Sequence, residues 1–280
     1  MIDSLISFQS IPDDDLDVVR FAMAVAAQDP HADTPPEKID QAHQYLRDVA
    51  PRVRARRHDL IMSGADDDAR TDLAALKHIL VDEDGFGGDP DHYNDPRNAN
   101  MLDVIDRRRG LPVALACLYV QVGASAGITV RALDFPGHVV IRVERGGQMI
   151  MADPFAGCMT LDAADLRALI KRVSGPHAEL RADYYAPLSR RGMVIRLQNN
   201  IKLRLIEQGD YAGAVRILET MRVIDPDEYR VLFDLGVLYE KLGETARAVA
   251  CLTDYLDLLP PRHPNRREAQ DLLDVIRSNQ

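Results

Sequence analysis

The strongest constraint in this sequence is a pattern that returns after 34 residues: Gly209-Asp210-Tyr211-Ala212-Gly213-Ala214 recurs as Gly243-Glu244-Thr245-Ala246-Arg247-Ala248, and Asp225-Pro226 recurs as Leu259-Pro260. A fixed period of this size marks a supersecondary unit that cannot bury its apolar face alone and must stack on a copy of itself. Residues 184–280 are therefore predicted to form an all-α array. Two repeats are fewer than such arrays usually need, so His263 to Ser278 is expected to add a capping helix.

Within the second copy, Leu232, Leu235-Gly236, Tyr239, Ala248 and Pro260 match the tetratricopeptide pattern, with Leu232 where Trp is common. The first copy departs at Lys202, where a small residue is usual, so its two helices are expected to pack less closely. The first helix of each repeat lines the concave surface of such an array. Asn199, Asn200, Lys202 and Arg204 are thereby placed where an extended peptide, or its acidic terminus, could be held.

The first ninety residues read as a helical lead-in: Asp14 to Gln28, Glu37 to about His58 after Pro35-Pro36, and Asp67 to about Val81 after Gly64. Arg52, Arg54, Arg56 and Arg57 form one basic run, expected to be a solvated helix face. From Gly85 the texture changes to turn residues. Asn100 is placed to cap a helix whose last turn holds Arg107 to Arg109 and which Gly110 closes, and Pro112 to open the next. The stretch Leu111 to Val130 has no charged residue and follows three arginines, which superficially suggests a membrane span. Pro112, Gln121, Gly123, Ser125, Gly127 and Thr129 argue instead for a buried helix that ends at Gly127 and gives way to a strand.

Past Gly127 the apolar period becomes that of strands, through Val130 and Ala132, Val139 to Val143, and Met149 to Met151. Gly146-Gly147 is a two-residue hairpin signal that pairs Val143 with Ile150 and Val140 with Asp153. That register sets His138 diagonal to Asp153 on one face of the sheet. A His at a strand start with an Asp on the next strand is two-thirds of a cysteine-nucleophile site; the missing third is a thiolate at a helix N-terminus.

The chemistry of the rest of the chain narrows the alternatives. A net charge of −10 opposes binding to nucleic acid. The three cysteines, Cys117, Cys158 and Cys251, have neither disulfide nor metal-ligand spacing, and no His-x-x-x-His pair occurs, so neither a metal nor a cofactor is expected. A reducing cytoplasm fits this cysteine usage best, and no signal peptide or membrane span is read.

The stretch from Phe86 through Tyr93-Asn94-Asp95-Pro96-Arg97-Asn98, together with Asp106-Arg107-Arg108-Arg109-Gly110-Leu111-Pro112, Phe135-Pro136-Gly137-His138 and Ala152-Asp153-Pro154-Phe155, resembles the bacterial SirB family of transglutaminase-like proteins. The resemblance covers nearly the whole chain. It implies an α+β protein: a helical N-terminal segment (1–84), a transglutaminase-like, papain-like domain of helix plus antiparallel sheet (85–183), and a tetratricopeptide array (184–280). It also implies that His138 and Asp153 hold the places of the transglutaminase His and Asp. The nucleophile would then fall near Pro112, which has no attacking group. Cys117 lies about one and a half turns deeper on another face of the helix. Cys158, in a turn five residues past Asp153, is the other candidate. The expected function is a non-catalytic adaptor or regulator that binds a protein or peptide partner. The alternative is a cysteine-dependent hydrolase or acyl transferase with a relocated nucleophile.

Overall fold

The computed structural model describes residues 3–28 and 35–278. The chain divides into two compact units, residues 11–197 and residues 198–280 together with the first ten.

In the larger unit, Asp17 caps helix α2 (Val18–Ala26) by accepting the Arg20 N–H at 3.0 Å. The helix therefore begins later than the apolar pattern predicted, and Asp13 to Asp15 form a separate 3-10 turn. From that turn the Asp13 carboxylate accepts the N–H groups of Arg190 (2.7 Å) and Arg191 (2.9 Å), at the start of a helix 177 residues away. Helix α3 (Pro36–Met62) runs straight through Pro51 and is longer than expected. Its arginines are only partly the solvated face expected: Arg54 is exposed, but the run is tied down by partners. Arg52 binds Glu83 and Asp84, Arg54 donates to the Ser125 carbonyl at 2.5 Å, and Arg57 reaches Asp72 at 2.5 Å. Asp72 is fully buried and also accepts from Arg145 at 2.6 Å, so two guanidinium groups neutralise it. Both partners come from other elements, and period alone does not reveal such pairing. Helix α4 (Ala69–Lys77), capped by Asp68, widens into a π-helical turn over His78–Glu83.

Asn100 caps α5 (Met101–Arg107) by accepting from Leu102 and Asp103, as its sequence position suggested. The helix is closed by Arg108 itself, at φ +61°, rather than by Gly110. Pro112 then opens α6 (Pro112–Ala126), which ends at Gly127 with φ +77°. The helix is buried nearly all round, as its uncharged sequence requires.

The strands β1 (Thr129–Phe135), β2 (His138–Arg145), β3 (Gln148–Asp153) and β4 (Met159–Leu161) form one antiparallel sheet in sequence order. Val143 pairs with Ile150, the register expected from the hairpin. Gly146 and Gly147 both have positive φ, +57° and +80°, the geometry that a tight hairpin matched to strand twist demands. One face, with Val130, Ala132, Val139, Ile141 and Val143, is buried on the side of α6, where Gly123 leaves no room for a side chain against Val130. On the other face Leu133, Phe135 and Val140 pack with Leu166, Leu169 and Ile170 of α7 (Ala163–Ser174). Neither β4 nor α7 was legible from period alone.

The last helix to start in this unit, α8 (Arg190–Glu207), runs past residue 197. In the smaller unit α9 (Tyr211–Ile224), α10 (Arg230–Lys241), α11 (Thr245–Leu258) and the capping helix α12 (Arg266–Ser278) follow one another, and α1 (Asp3–Gln9) packs on α9. Gly236 is needed because a Cβ there would lie 2.6 Å from Leu252, so α10 and α11 approach closely at this point. Among the described residues no helix is long and apolar enough to cross a membrane.

Candidate functional site

His138 is the first residue of β2, directly opposite Phe135 across a Pro136-Gly137 turn. Asp153 is the last residue of β3. Antiparallel pairing brings the two together, with Asp153 Oδ1 3.0 Å from His138 Nε2 and both side chains 12% exposed. The imidazole N–H is not aimed along that line, so the contact is electrostatic rather than the well-directed hydrogen bond that strand register suggested. The same Oδ1 accepts the N–H groups of Phe155 (2.9 Å) and Ala156 (3.3 Å), and the Asp153 carbonyl accepts from Cys158 at 2.8 Å. These bonds fix the carboxylate and build the turn after β3. Among the described residues Nδ1 has no hydrogen-bond partner, and Nε2 is the ring nitrogen sealed from solvent.

Phe155 stands over this pair, its ring 6.2 Å from His138 and nearly perpendicular at 80°. Tyr93 meets Phe155 edge-on at 5.7 Å. The Phe155 ring is locked in place because it fills the space above Gly88, where a Cβ would sit 2.5 Å from three ring carbons, and its carbonyl accepts the Gly88 N–H at 2.9 Å. The loop that carries Gly88 is held by a buried polar cluster. Asp89 accepts from the His92 backbone, from Asn98 and from Arg107, and Asn98 also donates to the His92 carbonyl at 2.8 Å. Burial works against the Asp89 carboxylate, but the His92 N–H, Asn98 and Arg107 outweigh it and lower its pKa. Asp89, Asn98 and Arg107 all lie within the motif stretches of the resemblance, but the sequence gave Arg107 only a place in the last turn of a helix and did not reveal that the three meet.

The start of α6 has a different character. Leu111 provides no side-chain cap, Pro112 occupies the first helical position, and Leu111, Val113 and Ala114 are 1%, 2% and 0% exposed. Helix N-termini favour thiolates, yet this one offers only hydrocarbon. Cys117 is fully buried and burial pushes its thiol up to about 12. Cys158 is 2% exposed, adopts a left-handed backbone at φ +58°, and burial pushes its thiol up to about 12 as well. Its sulphur lies beside the Tyr119 hydroxyl, without a well-directed hydrogen bond.

On α8, Lys202 is 8% exposed and its ammonium pairs with Asp234 of α10, an ion pair the repeat pattern did not reveal. Arg204 donates to the Asn200 carbonyl at 3.0 Å, and Asn199 and Asn200 are half-buried. A shallow cavity of about 430 Å³ lined by Glu144, Arg145 and the Gly146-Gly147 turn lies at the far end of β2 from His138 and is not part of the dyad. No cluster of three or more His, Cys, Asp or Glu suited to a metal occurs among the described residues.

A helix packed on an antiparallel sheet, with His and Asp at neighbouring strand ends, defines the papain-like class of domain to which transglutaminases belong. Comparison with known proteins narrows this. Residues 40–199 match the transglutaminase-like superfamily and residues 201–275 the tetratricopeptide repeat. The chain belongs to the transglutaminase-like superfamily, in its SirB-like arrangement with C-terminal repeats. A UPF0162 protein of Xylella fastidiosa is 30% identical over 194 residues, covering 68% of this chain and 69% of its own. Protein SirB1 of Salmonella typhimurium is 24% identical over 80% of this chain and 82% of its own, and mouse F-box only protein 21 is 25% identical over 67% of this chain but 31% of its own. No solved structure matches.

Proposed function

We propose that this protein is a non-catalytic transglutaminase-like adaptor or regulator that binds a protein or peptide partner through the His138 recess and the repeats. The observation that carries this reading is that Pro112, where the resemblance places the nucleophile, opens α6 among apolar neighbours and that both thiols of the larger unit are buried. A thiol at about 12 is ionised to roughly one part in 10⁵ at neutral pH, against a few per cent for a free cysteine. His138 and Asp153 then serve to orient a bound group. On the repeats, Asn199, Asn200, Lys202 and Arg204 form the proposed partner-binding strip, in which an acidic ligand would compete with Asp234 for Lys202. We further place the protein in the cytoplasm, apart from nucleic acid and membrane, on the strength of its cysteine usage and net charge of −10.

The test is the rate of alkylation of each cysteine at neutral pH in the native protein and in His138→Ala. Uniformly slow labelling, at least a hundredfold below free cysteine and indifferent to His138, is expected. A fast cysteine whose rate collapses in His138→Ala would establish the hydrolase or acyl-transferase alternative. For the repeats, Arg204→Glu is the cleaner substitution, because Lys202→Glu would set two carboxylates together. It should remove co-purifying partners.

A further inference from the structure

We propose that α1 is a detachable clasp seated on α9, and that the seat it covers docks a short amphipathic helix of the partner, one presenting Leu, Phe and a side-chain amide at positions i, i+3 and i+4. The proposal rests on the adaptor reading for the existence of a partner, and it names the surface and the pattern that hold it. Its first support is that an occupant of the seat is visible. Leu5, Phe8 and Gln9 fall on one face of α1, with Leu5 buried and Phe8 half-buried, whereas Ile6 on another flank is exposed. The Gln9 amide donates to the Val223 carbonyl at 2.9 Å, in the last turn of α9, where carbonyls have no partner within the helix. Its second support is the repeat, which supplies an internal control. Ile224, the last residue of α9, is 0% exposed, while Leu258, 34 residues on and last in α11, is 60% exposed. The end of α9 is covered where its copy lies open, and the Gln9 bond places α1 at that end. Its third support is that α1 is a weak helix by itself. Its seven residues fall well short of the about 12 to 15 that an isolated helix needs in water. Residues 10–12 after it are non-helical, and the chain is next held at Asp13 by the N–H groups of Arg190 and Arg191, so α1 can leave α9 without disturbing that anchor. A foreign helix with the same three side chains makes the same contacts and lacks only the advantage of attachment.

The experiment uses the full chain, with a fluorescent peptide of its residues 1–12 as the probe. Anisotropy follows binding to the unmodified chain and to the chain carrying Leu5→Glu, whose own α1 would have to bury a carboxylate in the seat. The peptide is expected to bind the Leu5→Glu chain at least about tenfold more tightly, because in the unmodified chain the tethered α1 competes at high effective concentration. Peptides that themselves carry Leu5→Glu or Phe8→Glu should bind neither chain. Equal affinity for the two chains, absence of binding to either, or equal binding of the unmodified and substituted peptides would overturn the proposal. Hydrogen exchange of the unmodified protein, read by mass spectrometry, makes the test independent of how the variant folds. The hydrogen-bonded amides of α1 should exchange at least about tenfold faster than those of α9 but more slowly than an unstructured chain, and excess peptide should speed them further. Exchange of α1 and α9 at one common rate would make α1 part of the cooperative repeat core, and exchange of α1 at the unstructured rate would leave no clasp; either result overturns the proposal. The alkylation rates bear on the adaptor reading and not on this seat, so either can fail alone.

Discussion

At the junction of β2 and β3 a His and an Asp meet as a buried polar pair, and the Asp also serves the backbone; the start of α6, by contrast, offers only apolar side chains around Pro112. Asp153 keeps His138 in place, but it also accepts two backbone N–H groups and so closes the turn that carries Phe155. A His–Asp pair can therefore be kept for the framework alone, and its presence by itself does not argue for catalysis. The α6 end fits that view, sealed by Leu111, Val113 and Ala114.

The comparison breaks most directly at Asp153. Asp153→Ala removes the acceptor for two N–H groups and the neighbour of a buried imidazole, and should destabilise the larger unit by about 2 to 4 kcal/mol. Asp153→Asn retains an acceptor oxygen and should lose about half as much, as urea unfolding would show. If neither variant shifts the midpoint, the dyad is not structural and its retention must be explained by chemistry. Next in size is Gly88→Ala, whose Cβ would overlap the Phe155 ring. It should cost about 1 to 3 kcal/mol and free Phe155 from His138, seen as a change in the His138 ring signals.

A smaller effect sharpens the comparison through the loop that touches both ends, by Gly88 to Phe155 and by Asn98 to Leu111. Hydrogen bonding from the Arg97 guanidinium holds Asp95 near the start of this loop's helical turn down to about 2. Its folded pKa lies below the unfolded value, so the stabilisation is complete above about pH 4 and is lost as pH falls toward 2. Asp95→Asn should lower stability by about 1 kcal/mol at neutral pH, and the gap from the unmodified protein should close across that interval. The smallest effect is expected at Pro112→Ala, about 0.4 to 1 kcal/mol, since the ring chiefly restricts the unfolded chain. Alkylation rates should not change, because the substitution adds no sulphur.

Much of this molecule was determined by local sequence. The Asn100 cap, the helix limits at Pro112 and Gly127 and the Gly146-Gly147 register each depend on residues within one or two turns of one another, and the 34-residue repeat is legible by setting one stretch of sequence against its copy. The register carried His138 to Asp153, so even the dyad could be located before the fold. What sequence could not decide is which polar groups meet across the fold. Asp13 capping α8, Asp72 between Arg57 and Arg145, Lys202 bound to Asp234 and Cys158 buried beside Tyr119 all join segments far apart in the chain. The basic run of α3 read as a solvated face for the same reason: a charge's partners, and hence its solvation, are set by long-range packing. Periodicity specifies which face of a helix is buried, but only tertiary structure specifies what it is buried against.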